Sequence, residues 1–377
     1  MINQNDLLPE GLEDRLPRDA ERLTGAMRAA LGAMHAHGYD RVRPPLIEFE
    51  TSLAERMANV ATRRMVRFTD PVSLRTLALR SDMTVQVSRI AATRLAHEPR
   101  PLRLCYAGEV ATIRADQLDP ARQKLQMGAE LFGSDSAAAA SETVLCALDA
   151  LEAAGLTDLS IDLTMPDIVD VLAAEAFPLD KKAVAAVRRE LDTKDAGGLA
   201  AVSGGGPYLP LLYATGDFES SLARLSDIDA GKALSSRIAG LRDVAAAVAG
   251  RARITLDPSE RHGFEYQTWF GFTVFAEGAR AAVGRGGSYV VQGSDEVATG
   301  FTLYMDPLLD ALPANGSNAD PIVYLPVGHD RAHAARLRAQ GWRTRAAVGS
   351  NEDPRTLGCT HHLRDGDGVS AGEPSAL

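Results

Sequence analysis

The clearest chemistry-bearing pair in this chain sits on one short extended segment. Residues 123–132 read as a strand, and Gln126 and Glu130 lie four positions apart on it. Side chains on a strand alternate faces, so an even step puts this amide and this carboxylate on the same side. A carboxylate with amide and hydroxyl partners suits a ligand carrying an ammonium group, such as a free amino acid. The plainer alternative is that these groups hydrogen-bond within the fold and hold no ligand. Other candidate chemistry is weaker. Gly204-Gly-Gly-Pro207 invites a phosphate-loop reading, but no Lys-Ser or Lys-Thr follows and no GxGxxG spacing fits, so a helix connection is expected. His361 and His362 are adjacent. On a strand, neighbours point to opposite faces, so no shared metal is expected. Cys105, Cys146 and Cys359 are odd in number and far apart. They read as free thiols, not as a disulfide framework or a metal site.

These groups need a scaffold. Apolar residues at Leu23, Met27, Ala30, Leu31 and Met34 recur at helical spacing, predicting a helix over 17–38 with Pro17 in its first turn and Gly38 at its stop. Arg41 to Glu48 reads as extended, and Pro44 and Pro45 place it at a sheet edge or an interface. A strand is expected over 72–80 and a helix over 84–95. Strands over 102–113 and 123–132 form a long hairpin across the turn-rich run 114–122. A helix over 136–154 and a strand over 159–163 follow. Residues 166–250 read as mostly helical. Strand-like text returns at Ile254, 270–275, 281–283, 288–291 and 300–303. The expected organisation is an α+β core over 1–312, with a helical insertion at 166–250. A linker then leads to a small β-α-β unit over 320–364 and a flexible tail over 365–377.

Composition narrows the function classes. A chain of 377 residues with 45% hydrophobic content suits a soluble globular protein with one large and one smaller domain. A formal net charge of -10 opposes binding to phosphate backbones, so no tRNA is expected as a partner. The first residues lack a basic start and an apolar core, and no run approaches about 18 apolar residues. No signal peptide and no membrane span are expected, and the cytoplasm is the expected location. Nothing in the residues calls for a cofactor.

Four segments, in order, resemble the catalytic core of histidyl-tRNA synthetase, a class II aminoacyl-tRNA synthetase. Gly38 to Glu48 resembles motif 1, the dimer-forming strand of that family. Leu79-Arg-Ser-Asp-Met-Thr84 resembles its LRPEGT. Leu104 to Val110 with Gln126 to Gly133 resembles motif 2 and its returning strand. Gly286-Gly-Ser-Tyr289 with Gly300 to Leu303 resembles GGRYD and motif 3. The resemblance covers about residues 5 to 312. It implies an antiparallel class II sheet flanked by helices.

The resemblance also exposes a loss. Adenylation of an amino acid needs fixed cations on the ATP phosphates, and arginine supplies them through its planar fork. Thr112 stands where motif 2 carries its arginine, and Pro307 stands where motif 3 carries another. Arg114 is an even step beyond Thr112 and on a strand would face the same way. The nearest match to the family's RGLDYY is His262-Gly-Phe-Glu-Tyr266, with histidine in place of arginine and Arg261 adjacent. No catalytic residue is therefore assigned. The amino-acid pocket is different. By the resemblance, Asp82 and Thr84 stand where the family holds the ammonium group. Gln126 and Glu130 stand where it meets the ammonium and the imidazole, and Tyr266 and Tyr289 line the pocket.

A synthetase-like core without adenylation, and without a full anticodon domain, resembles the regulatory subunits of ATP phosphoribosyltransferase. That enzyme opens histidine biosynthesis. The resemblance implies a non-catalytic chain that assembles with a short-form catalytic subunit into a hetero-octamer. It further implies self-dimerisation through motif 1 and feedback inhibition by L-histidine. The runner-up is a histidyl-tRNA synthetase-like enzyme with altered ATP-binding motifs; an amino-acid-binding or scaffolding paralogue is a third reading. Residues 320–364 are expected to be a remnant of an anticodon-binding-like domain.

Overall fold

The computed structural model describes residues 7–55, 62–114, 120–229, 232–261, 267–312, 321–363 and 375–376. The chain divides into two units, Met1–Leu312 and Pro313–Leu377.

In chain order the strands of the first unit are β1 (Asp40–Arg41), β2 (Ile47–Phe49), β3 (Arg67–Thr69), β4 (Thr76–Leu79), β5 (Leu102–Ala111), β6 (Gln123–Phe132), β7 (Leu159–Thr164), β8 (Gly216–Asp217), β9 (Arg253–Leu256), β10 (Gln267–Ala276), β11 (Gly284–Val290) and β12 (Val297–Tyr304). Nine of them form one sheet in the order β1-β5-β6-β12-β11-β10-β7-β9-β8. Every pairing from β5 to β7 is antiparallel; the β1–β5 and β7–β9 pairings are parallel. The expected α+β antiparallel sheet is thus present and becomes mixed at its margins. A second sheet, β2-β4-β3, is small and antiparallel.

The two faces of the large sheet differ in kind. On one face, Met127, Ala129, Leu131, Phe272, Val274, Phe301 and Leu303 alternate inward and pack on the helices Pro17–Ala36 and Ala137–Ala153. Both helices carry alanine at buried positions (Ala26, Ala30, Ala140, Ala147), which brings them close to the sheet. Leu148, Leu151 and Phe272 are essentially fully buried there, each contributing about 1.5–3 kcal/mol. The Ala137–Ala153 helix starts cleanly because Ser136 Oγ accepts from the Ala139 amide at 3.2 Å. The N-terminal helix is clasped to the end of the unit. Arg22 Nη2 donates to the Leu312 and Leu309 carbonyls at 3.0 and 3.3 Å, and Arg15 pairs with Asp306. These carbonyls close the helix Met305–Ala311, whose last turn lacks intrahelical donors.

The opposite face is polar and glycine-rich. One end of it is covered by the helix Thr84–Thr93, which packs Met83, Val87 and Ala91 against Tyr106, Phe132 and Tyr289. The region 166–250 carries several helices and also the two-residue strand β8, which pairs with β9. Gly204 to Pro207 leads into a 3-10 helix, Gly206–Tyr213.

Two expectations shift. The strand over 72–80 shortens to β4 and pairs with β3, a fully exposed strand with no apolar alternation to betray it. Residues 281–283 are not a strand; β11 begins at Gly284 and runs through the glycine pair. Those glycines admit neighbours. A Cβ on Gly286 would meet the Phe272 ring at 2.4 Å, and one on Gly284 would meet Leu303 at 2.7 Å.

The second unit holds β13 (Ile322–Leu325), the helix Arg331–Ala339, β14 (Arg343–Ala346), β15 (His361–His362) and β16 (Ser375–Ala376). Their order is β14-β13-β15-β16, so the expected β-α-β unit carries two further strands. Asp330 caps its helix, accepting from Ala332 N at 2.8 Å. His361 and His362 are successive residues of β15; the ring of His361 meets Trp342 edge-on. Among the described residues no group of three His, Cys, Asp or Glu side chains could hold a metal, and no helix is long and apolar enough to cross a membrane. All three cysteines are buried and free.

Candidate functional site

The polar face is assembled by register. Glu130 lies opposite Leu104 on β5 and Gly300 on β12; Gln126 lies opposite Gly108 and Tyr304. Gly300 in turn faces Gly287 on β11, and Thr302 faces Arg285. Directly opposed residues share a face. Hence Gln126, Glu130, Tyr106, Thr302, Tyr304, Tyr289 and Arg285 all rise from the same side. Of the five described pocket residues named by the resemblance, all come together: Asp82, Thr84, Gln126, Glu130 and Tyr289. Tyr266, with the preceding His262, lies outside the described residues.

Glu130 is at the centre and only 1% exposed. Tyr289 Oη donates to its Oε2 at 2.8 Å, and Tyr106 Oη donates to its Oε1 at 3.1 Å. Burial pushes its carboxyl up to about 8; the two tyrosine hydroxyls oppose that rise only in part. Gly300 is required beneath it, since a Cβ there would stand 1.7 Å from Glu130 Oε2. The Tyr106 hydroxyl also meets Thr84 Oγ1 at 3.1 Å and Thr302 Oγ1 at 3.2 Å. Burial holds it well above the usual phenol range.

Gln126 links the strand to the helix start. Its Nε2 donates to Asp82 Oδ1 at 3.0 Å, and its Oε1 accepts from the Met83 amide at 2.9 Å. Asp82 Oδ1 also accepts from Thr84 N at 2.9 Å. Asp82 therefore caps the Thr84–Thr93 helix from just outside it. These polar groups bond to one another. Thr84, Glu130, Gln267, Arg285, Tyr289 and Thr302 line a half-open space of about 20 Å³, room for roughly one water. An amino acid enters only if side chains at this mouth move. Gln267 is placed to do so: it lies across Gly271 and Gly287, held by one bond to the Gly286 carbonyl at 3.0 Å.

The phosphate side of the site has no matching cations at the two expected positions. Thr112 follows the end of β5, its amide donating to the Arg122 carbonyl at 2.8 Å and its hydroxyl to the Arg114 carbonyl at 3.0 Å. Arg114 lies beyond β5 and is exposed, so the even-step argument for it does not apply. Pro307 sits in the first turn of the helix Met305–Ala311, beside Asp306 and its partner Arg15. Residues that sequence reasoning did not single out are Tyr106, Thr302, Gln267 and Arg285. Tyr106 and Thr302 follow from strand parity once the register is known; Arg285 had only the signal of a charge inside a glycine-rich strand.

Comparison with known proteins agrees with this geometry. Residues 11–308 match the family described as histidyl-tRNA synthetase. The fold superposes on a crystal structure described as an ATP phosphoribosyltransferase regulatory subunit/histidyl-tRNA synthetase from Bacillus halodurans, with TM-score 0.81, 20% identity and coverage of 95% of this chain and 97% of that one. It also superposes on histidyl-tRNA synthetase from a Nostoc species, with TM-score 0.76, 13% identity and coverage of 96% and 92%. The fold is thus that of a histidyl-tRNA synthetase-like, class II core. Within that class, curated relatives are nearer in sequence. The ATP phosphoribosyltransferase regulatory subunit of Paramagnetospirillum magneticum is 41% identical over 95% of this chain and 96% of its own length, and that of Rhodospirillum centenum is 40% identical over 94% of both. The chain belongs to the family of ATP phosphoribosyltransferase regulatory subunits. It is a regulatory chain and not itself an enzyme, as Thr112 and Pro307 led one to expect.

Proposed function

We propose that this chain serves in the cytoplasm as the regulatory partner of a short-form catalytic ATP phosphoribosyltransferase subunit, in a hetero-octamer, and that its synthetase-like pocket senses L-histidine for feedback control. One observation carries the reading. The two phosphate-gripping positions hold Thr112 and Pro307, while Asp82, Thr84, Gln126, Glu130 and Tyr289 remain gathered on one face. A site that lost its cations and kept a carboxylate-rich amino-acid pocket suits sensing better than adenylation.

Self-dimerisation through the motif 1 region is part of the same reading. Arg80, just after β4, donates to the Pro44 carbonyl at 3.0 Å, and Gln86, on the helix Thr84–Thr93, donates to the Pro45 carbonyl at 2.8 Å, which pins that segment at both places. Beside it, Leu46, Ile47, Phe68, Val72 and Leu74 are exposed, Val72 to 90%. Apolar side chains gathered this way favour an interface. No tRNA partner is proposed, in keeping with the net charge of -10. Residues 320–364 are proposed to be a remnant of an anticodon-binding-like domain.

The test is reconstitution. The purified chain is mixed with a short-form catalytic subunit, and turnover of ATP and phosphoribosyl pyrophosphate is followed with and without L-histidine. Turnover should rise on mixing and fall with histidine. No rise overturns the partnership; a rise indifferent to histidine overturns the sensing role. Histidine-dependent pyrophosphate exchange by the chain alone would favour the synthetase-like alternative.

A further inference from the structure

The space beside Glu130 is small because a side chain lies in it. Gln267 opens β10 opposite Tyr289 on β11, so it rises on the pocket face. The register of β10 against β11 shifts between Gln267 and Gly271. An irregularity of this kind re-aims a side chain, and here the carboxamide turns back over the sheet. Its Oε1 lies 2.8 Å from where a Cβ of Gly271 would stand, and its Nε2 lies 2.7 Å from where a Cβ of Gly287 would stand.

The ground it covers is bare backbone that leads to Glu130. Gly271 lies opposite Gly287, Gly287 opposite Gly300, and Gly300 opposite Glu130. At about 4.8 Å between strands, Gly271 and Gly300 are about 10 Å apart. The Glu130 carboxyl covers the Gly300 end, and Gln267 covers the rest. Its hold is weak. A carboxamide offers two N–H donors and an acceptor oxygen. Among the described residues, that of Gln267 makes one bond, from Nε2 to the Gly286 carbonyl at 3.0 Å. The residue is only half-buried, so the carboxamide can swing to water and gain there the partners it lacks.

We infer that Gln267 is a built-in plug of the pocket: its carboxamide occupies the ground over Gly271 and Gly287 in the free chain, and it must leave before a ligand's flat side chain lies there. The inference rests on the reading of this pocket as an amino-acid site and adds to it a residue that sets its affinity. A plug competes with the ligand. Only the fraction of chains with Gln267 swung out binds, and the apparent affinity falls by that fraction.

Isothermal titration of the full chain with L-histidine tests it, on wild type, Gln267→Ala, and Gln267→Ala combined with Gly271→Ala. The nearest atoms to a Cβ on Gly271 belong to the side chains of Thr164, Gln267 and Pro166, and circular dichroism checks that each variant is folded. Gln267→Ala should bind about 3- to 10-fold tighter than wild type, the range of one net hydrogen bond. Adding Gly271→Ala should cancel the gain, because the new Cβ refills the cleared ground. Equal or weaker binding by Gln267→Ala overturns the plug and leaves the amino-acid pocket standing. A double variant as tight as the single one overturns the ground over Gly271 as the place the ligand takes. If neither wild type nor Gln267→Ala binds histidine, the amino-acid pocket itself falls, and the plug with it.

Discussion

Replacing Glu130 by glutamine should make the large unit more stable at alkaline pH and almost erase one component of its pH dependence. The sign follows from burial. Glu130 ionises at about 8 in the fold against an ordinary 4.5, so the folded chain keeps a proton that the unfolded chain releases. Stability from this group is complete below pH 4.5 and is lost as pH rises through about 8. At about 1.4 kcal/mol per pH unit, the full span amounts to about 5 kcal/mol, and the stretch from pH 5 to pH 7 to about 3 kcal/mol. Glutamine resembles the protonated acid in size and can accept from Tyr106 or Tyr289, so the variant keeps most of the bonds without the ionisation. Urea unfolding followed by tryptophan fluorescence measures this. A Trp342→Phe background leaves Trp269 as the sole tryptophan, reporting on the large unit. The difference between Glu130→Gln and its parent should grow steadily in the variant's favour from pH 5 to pH 8. A difference that stays flat across that range refutes the assignment of a buried, proton-holding carboxyl.

Three further outcomes are expected. Gly300→Ala should destabilise the large unit by about 3 kcal/mol or more, because the added Cβ collides with a carboxylate pinned by two tyrosines; Gly206→Ala, with nothing within 4 Å, should change little in the same unfolding assay. Tyr106→Phe should cost about 1–3 kcal/mol, since Glu130 loses a donor while Thr84 and Thr302 lose a partner. Combined with Glu130→Gln in a double-mutant cycle, it should show clear non-additivity; strictly additive values would deny the direct bond. Phe68→Glu with Leu74→Glu should convert a dimer to a monomer in sedimentation equilibrium, and an unchanged mass, or a monomeric parent, would remove the motif 1 interface.

Much of the scaffold was legible because its elements carry strong periodicity. The N-terminal helix showed a stripe at Met27, Ala30 and Met34, and the β5–β6 hairpin came out with its strands within two residues of their observed ends. What was not legible had no pattern to read. β3 is exposed along its whole length, and the glycines of β11 look like a turn until Phe272 and Leu303 are seen filling the space above them. The site divides the same way. Gln126 and Glu130 share a face by simple parity. Tyr106, Thr302 and Arg285 join them only through the β5–β6–β12–β11 register, which brings together residues up to nearly 200 positions apart. Parity says which side a residue takes; it does not say which strand lies alongside.

That register has a consequence for how the chain is made. β12 is the last long strand of the large unit to be synthesised, yet it occupies the middle of the sheet, between β6 and β11. Until it emerges, β6 presents an open edge for its whole ten-residue length, and β11 presents another. Open edges of that kind recruit the wrong strands. The clasp of Arg22 onto Leu309 and Leu312 comes later still. A ribosome-bound chain shorter than about 300 residues therefore cannot bury its own centre, and the large unit must complete itself in one late event that zips β12 into place and locks the first helix against the last.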